Sequence, residues 1–224
     1  MMDIKRLDWD SKFFDYNVGC INVDDADELD AMLPLVSGYR LLYIFSNTAI
    51  NNSDILKNAY HDVKISFTIS LNAIRLYMSQ HNYNQHIFMK RAKSIEGGLI
   101  ELAYGAGAYS RFKMDKNFNN NEFERLYFEW LKKSIEQPAF ADEVIVYRKN
   151  DNILGMVTYT IKNSILKVGL IAVGAKNKGR GIGRALIMYL YNKAIESDVQ
   201  QIDVDTQKIN KNAIRFYKAM GMTI

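Results

Sequence analysis

The chain has 224 residues, 48% hydrophobic and 24% charged, with a formal net charge of +4 at pH 7. That length is enough for one large domain or two small ones with a buried core, and so modest a charge does not argue for a nucleic-acid partner. With Cys20 as the only cysteine, an internal disulfide is excluded and a cytoplasmic location is expected. His61, His81 and His86 lack the spacing of metal ligands, so no metal site is expected. No apolar run approaches the ~20 residues of a membrane span. The N-terminal Met1-Met2-Asp3-Ile4-Lys5-Arg6 lacks the apolar segment of a signal peptide.

In chain order, residues 1–85 predict a small α/β domain. Val18 to Val23 alternates as a strand, a helix is expected from Asp24 or Asp25 to Leu35, and Tyr39 to Phe45 is a second strand. A third spans His61 to Leu71, with Val63, Ile65, Phe67 and Ile69 on one face. The polar stretch Ser79 to Gln85 predicts a loop, and the domain boundary is placed there.

Residues 86–224 predict a second domain. Helical character over Ser94 to Tyr109 is weakened by four glycines. A stronger helix follows Asn121, with Phe123, Leu126, Tyr127, Trp130 and Leu131 on one face. Three strands then form a meander, Glu143 to Arg148, Ile153 to Ile161 and Ile165 to Val173, with turns at Asn150-Asp151-Asn152 and Asn163-Ser164. After a glycine loop comes a helix bearing Ile182, Ala185, Leu186, Tyr189, Leu190 and Ala194. A strand from Gln201 to Thr206 and a last helix from Asn210 or Asn212 to Gly221 complete the chain. The crossover from Ile165 to Thr206 should pair two strands in parallel.

The stretch Val168 to Val173 followed by Lys178-Gly179-Arg180-Gly181-Ile182-Gly183-Arg184 carries the chemistry. A strand feeding a glycine loop that opens a helix turns unpaired N–H groups and the positive helix end toward one point, a site for phosphate. A triphosphate loop, G-x-x-x-x-G-K-[ST], fails because Arg180-Gly181 stand where Lys and Ser/Thr are needed. A dinucleotide loop, G-x-G-x-x-G/A, is weakened by Arg184 at its third position and by the short chain after Asp203.

The loop resembles the [Q/R]-x-x-G-x-[G/A] motif of the GNAT N-acetyltransferases, with Lys178 in place of the first Gln or Arg. Asn210 to Met222 is similar to that family's N-x-x-A-x-x-x-Y-x-x-x-G-[FM] segment. Leu7 to Phe14, Tyr109 to Phe112, Leu126 to Trp130 and Thr206-Gln207 are similar to the dTDP-fucosamine acetyltransferases within it.

The resemblance implies an α/β (α+β) acyl-CoA N-acyltransferase fold, a mixed central sheet flanked by helices, preceded by the smaller N-terminal α/β portion. It implies acetyl-CoA as cofactor, with an amine attacking the thioester directly. Contacts to coenzyme A would come from Ile171, Ala172 and Val173, from Lys178, Gly179, Arg180, Gly181, Ile182, Gly183 and Arg184, and from Asn210, Ala213 and Tyr217. At Ile171 and Val173 the expected contact is through the main chain. Tyr217 occupies the general-acid position, and Tyr109, Arg111, Phe112 and Gln207 fall where the acceptor is held. Asp203, Asp205 and Glu101 are candidate bases, among which the sequence does not choose.

The implied acceptor is the amino group of a small molecule, a dTDP-linked 4-amino-4,6-dideoxyhexose for surface polysaccharide. The alternatives are an amino acid, peptide or polyamine acceptor, or a non-catalytic CoA-binding regulator. The family usually continues past the position of Met222 into a further strand pair. The sheet is therefore expected either to lack its last strand or to have that edge covered by another segment, and an exposed edge would allow pairing with a second copy in a homodimer.

Overall fold

The computed structural model describes residues 4–50, 53–81 and 88–224. The chain divides into two compact units, Met1–His61 and Asp62–Ile224.

The first unit contains β1 (Lys5–Arg6), α1 (Asp8–Phe14), β2 (Val18–Asn22), α2 (Ala26–Ala31), α3 (Leu33–Val36) and β3 (Leu41–Phe45). Its sheet has the order β1-β2-β3, with β2 antiparallel to β1 and parallel to β3. Asp25 starts α2, its carboxylate accepting the Glu28 N–H at 2.9 Å, while the Glu28 carboxylate accepts the Asp24 N–H at 2.8 Å. The single helix expected to Leu35 is instead two, divided at Met32. Pro34 explains the break, since it has no N–H to continue the α2 ladder and suits only a first turn. Ile4, Ile21, Val23, Leu29 and Met32 form the core of this unit.

The second unit opens with β4 (Lys64–Ser70) and α4 (Leu71–Ser79), followed by β5 (Met89–Arg91), α5 (Leu99–Ala106), α6 (Arg111–Met114) and α7 (Glu122–Glu136). Next come β6 (Glu143–Lys149), β7 (Asn152–Lys162), β8 (Ile165–Val173), α8 (Ile182–Glu196), β9 (Gln201–Gln207) and α9 (Lys211–Ala219). The six-stranded sheet has the order β4-β9-β8-β7-β6-β5, antiparallel throughout except for the parallel pair β8/β9. Both hairpin turns have two successive residues with positive φ, Asn150 and Asp151 (48° and 61°), then Asn163 and Ser164 (51° and 59°). That is the type I′ geometry which matches strand twist, and Asn and Asp tolerate it best among side-chain-bearing residues. α8 packs on one face of the sheet, and α5 and α7 on the other. Between α8 and the sheet lies the main core, including Tyr159, Leu166, Val168, Leu186, Tyr191 and Ile202.

The division falls between His61 and Asp62 rather than at residue 85, because β4 pairs with β9 along its whole length, from Lys64/Gln207 to Ser70/Gln201. The same pairing covers the β9 edge with another segment of the chain, the second of the two alternatives for the sheet's edge. The outer side of β4 is met in turn by the chain's own C-terminal segment: the Thr68 N–H donates to the Thr223 carbonyl at 2.7 Å, and the Thr223 N–H donates back at 2.9 Å. The loop expected from Ser79 to Gln85 lies partly outside the described residues; Ser79 itself ends α4.

Candidate active site

The site grows from one irregularity in β8. Val157 pairs with Ile171 and Tyr159 with Val168, so Thr158 alone faces two residues, Gly169 and Leu170. This two-against-one arrangement is a β-bulge. It resets the alternation of β8: Leu166 and Val168 before it, and Ile171 and Val173 after it, all turn toward the α8 core. β8 and β9 part at the same point, their last paired residues being Val168 and Val204.

Beyond the bulge, the backbone of β8 has donors and acceptors facing a strand that is no longer there. The Gly174 N–H donates to the Leu154 carbonyl at 2.9 Å. Antiparallel ladders alternate bonded and non-bonded pairs, so Met156/Ala172 is bonded, and Gly155/Val173 and Val157/Ile171 are not. The main-chain groups of Ile171 and Val173 therefore point away from β7 into the gap beside β9, and those of Ala172 point to β7.

The glycine loop closes one end of this gap. Gly179 and Gly181 have φ of 77° and 79°, conformations that side-chain-bearing residues rarely adopt. A Cβ at either would meet nothing within 4 Å, so the backbone is open to a ligand there. No side chain caps α8, and its first intrahelical bond is the Ala185 N–H to the Gly181 carbonyl at 2.9 Å. The N–H groups of Ile182, Gly183 and Arg184 precede that bond and project beyond the helix end. Lys178 and Arg184 flank it, both exposed.

α9 supplies the other side. Asn210 is its N-cap, the side-chain oxygen accepting the Ala213 N–H at 3.1 Å. Tyr217 is buried, its ring 5.4 Å from that of Phe67. Burial, reinforced by the Asp205 charge, pushes its phenol well above the usual tyrosine range, so it keeps its proton at neutral pH. Asp205 is held by the Ser66 hydroxyl at 2.7 Å and by the ammonium groups of Lys64 at 3.3 Å and Lys167 at 3.5 Å. Burial alone would raise its pKa; the Ser66 hydrogen bond and the two lysines prevail and hold it below the usual carboxylate range.

These parts share one cavity of about 1220 Å³, larger than the ~300–1,000 Å³ of ordinary small-ligand sites. Of the residues expected at coenzyme A, Ile171, Ala172, Val173, Lys178, Gly179, Gly181, Ile182, Gly183, Arg184, Asn210, Ala213 and Tyr217 line it. Arg180 is exposed and outside the lining. Of the acceptor residues, Tyr109 and Gln207 line the cavity, whereas Arg111 and Phe112 do not. Arg111 lies within electrostatic reach of Asp62, and Phe112 packs its ring 5.1 Å from Phe118. Among the candidate bases, Glu101 and Asp205 face the cavity, while Asp203 accepts from the Gln201 side chain at 2.7 Å and is outside the lining.

The lining also includes Thr158, Trp130, Phe140 and Phe216, which sequence reasoning did not select. Trp130 lay in plain view on the apolar stripe of α7, where a core role explained it. Nothing in the local pattern marks Thr158, because its place depends on a register shift between two strands.

The site thus combines a sheet whose parallel pair parts at a bulge, a glycine loop opening the crossover helix and a protonated phenol beside the gap. The particular family follows from comparison. The profile of the Acetyltransferase (GNAT) family matches residues 109–222, and the chain belongs to that family. It is similar to an uncharacterized N-acetyltransferase of Methanocaldococcus jannaschii, 32% identical over 115 residues covering 46% of this chain and 47% of that protein. It is also similar to the spore coat polysaccharide biosynthesis protein SpsD of Bacillus subtilis, 24% identical over 125 residues covering 56% and 43%. The chain thus spans about half the length of these curated relatives. Among solved structures, a functionally unknown conserved protein from Staphylococcus epidermidis shares the fold, with a TM-score of 0.60 at 13% identity over 93% of this chain and 80% of that one.

Proposed function

We propose that this protein is an N-acetyltransferase that moves an acetyl group from acetyl-CoA to the primary amine of a small molecule. The observation that carries it is the single cavity containing the open glycine loop, the parted β8/β9 pair and Tyr217. The residues suit coenzyme A: glycines leave the backbone at 179 and 181 uncovered, and Lys178 and Arg184 add positive charge at the helix end. When bound, acetyl-CoA supplies the acetyl group as an electrophilic thioester. The N–H groups of residues 182–184 bind the diphosphate, and the outward main-chain groups of Ile171 and Val173 orient the pantetheine arm. Tyr217 holds a proton at its hydroxyl for the departing sulfur. Glu101 and Asp205 face the cavity as carboxylates able to draw in an ammonium group or take up its proton.

The acceptor we favour is a nucleotide-linked amino sugar. The similarity to SpsD, named for spore coat polysaccharide biosynthesis, supports that choice. So do Trp130, Phe140 and Tyr109, aromatic residues of the lining against which a sugar or base ring can stack. The test is thiol release from acetyl-CoA with a dTDP-4-amino-4,6-dideoxyhexose, a UDP-amino sugar, spermidine and a lysine peptide in parallel. The account expects the highest kcat/KM with a nucleotide amino sugar. A preference for spermidine or peptide would redirect the acceptor, and no release with any amine would remove the catalytic role.

A further inference from the structure

We infer that Thr158 is the positioning residue that holds the β8 bulge and so keeps the β8/β9 gap open for the pantetheine arm; this rests on the acetyl-CoA reading above. Thr158 is 1% exposed on β7, flanked by the register shift between Val157 and Tyr159. Its hydroxyl oxygen accepts the Leu170 N–H at 2.8 Å. In a regular ladder a main-chain carbonyl of β7 would take that N–H. At the bulge the side chain substitutes for it, and the extra residue of β8 is accommodated without a buried orphan donor. Across the bulge, a Cβ built on Gly169 would lie 2.6 Å from the Thr158 oxygen, so the absent side chain at 169 leaves the hydroxyl its place. The two residues form one lock. The pairing with β9 ends at Val168, the residue just before the bulge, and beyond the bulge the main chain at Ile171 and Val173 is available. Thr158 touches no reacting atom in this account; it acts through the direction of the β8 backbone.

The test uses the full chain in four forms: unchanged, Thr158→Val, Thr158→Ser and Gly169→Ala. Calorimetric titration with CoA is set against titration with 3′-phospho-ADP, which keeps the diphosphate and lacks the pantetheine arm. The expected result is a Kd for CoA at least ten-fold weaker in Thr158→Val and Gly169→Ala. The Kd for 3′-phospho-ADP should change less than two-fold, and Thr158→Ser should restore CoA binding to within about three-fold. Amide hydrogen exchange without ligand gives a second readout: Leu170 is protected in the unchanged chain and loses that protection in Thr158→Val. Equal losses for both ligands, or an unchanged CoA affinity in Thr158→Val, would overturn the positioning role. If the unchanged chain bound neither ligand, the acetyl-CoA reading itself would fall, while Leu170 exchange would still report whether Thr158 holds the bulge.

Discussion

Replacing Tyr217 with phenylalanine separates its packing from its chemistry. The ring is buried, 4% exposed, and lies 5.4 Å from Phe67, and phenylalanine conserves those contacts. A near-isosteric change of this kind costs less than about 1.5 kcal/mol, which for a unit of this size lowers Tm by no more than about 6 °C. The proton donor is lost outright. General-acid contributions run from about 100-fold to 10,000-fold, so kcat for thiol release should fall at least about 100-fold, equivalent to roughly 2.7 kcal/mol of transition-state stabilisation. Because the diphosphate and pantetheine contacts come from elsewhere, the Kd for CoA should stay within about three-fold. Burial and the Asp205 charge hold the phenol above the usual range, so the unchanged protein should show no loss of kcat from this group below about pH 10. The assay is a thiol-release titration paired with calorimetry on the same preparations. A Tyr217→Phe protein with kcat within two-fold of the original would refute the role assigned to the hydroxyl.

Alkaline pH should destabilise the second unit. Tyr159, Tyr191 and Tyr217 are buried, and burial is the largest cause holding each phenol well above its ordinary value. The folded state therefore keeps protons that the unfolded chain releases above about pH 10; stability is full below that pH and declines as pH rises through it toward the folded pKa values. At about 1.4 kcal/mol per group per pH unit, the three together remove roughly 4 kcal/mol by pH 11, visible as a steep Tm decrease between pH 10 and 11; a flat Tm over that interval would contradict it. Gly181→Ala forces a side chain into φ near 79° with no clash at its Cβ, so it should cost about 1 kcal/mol by urea titration and weaken 3′-phospho-ADP binding as well as CoA binding. A Gly181→Ala loss confined to CoA would place the diphosphate elsewhere. Trp130→Ala should raise the acceptor KM several-fold while the CoA Kd is unchanged; a loss of CoA affinity instead would move Trp130 to the cofactor's side.

The second unit was largely legible because its signals are local. Asn150-Asp151 and Asn163-Ser164 announce tight turns, Gly179 and Gly181 announce a loop before α8, and Asn210 announces the cap of α9. The strand-helix-strand crossover into β9 follows from those marks and the handedness of parallel connections. The place of β4 was not legible, since its partner β9 lies more than 130 residues further along the chain and its alternation fits any half-buried edge. Pro34 was visible, yet the helix was expected to run through it to Leu35. The loop and α9 residues of the candidate site stand in contiguous motifs, and all but Arg180 line the cavity. Thr158 is placed by strand register and Phe140 by the turn after α7, so no spacing rule identifies them. Arg111 and Phe112 were drawn in by position after α5, yet α6 carries them to Asp62 and Phe118 instead.

A crystal structure of this chain grown with CoA tests the central claim most directly. The account predicts the diphosphate within hydrogen-bonding distance of the main-chain N–H groups of residues 182–184, the pantetheine arm along the outward groups of Ile171 and Val173, and the sulfur beside the Tyr217 hydroxyl. CoA seated elsewhere, or β8 and β9 joined beyond Val168 and Val204 with the glycine loop bare, would contradict it.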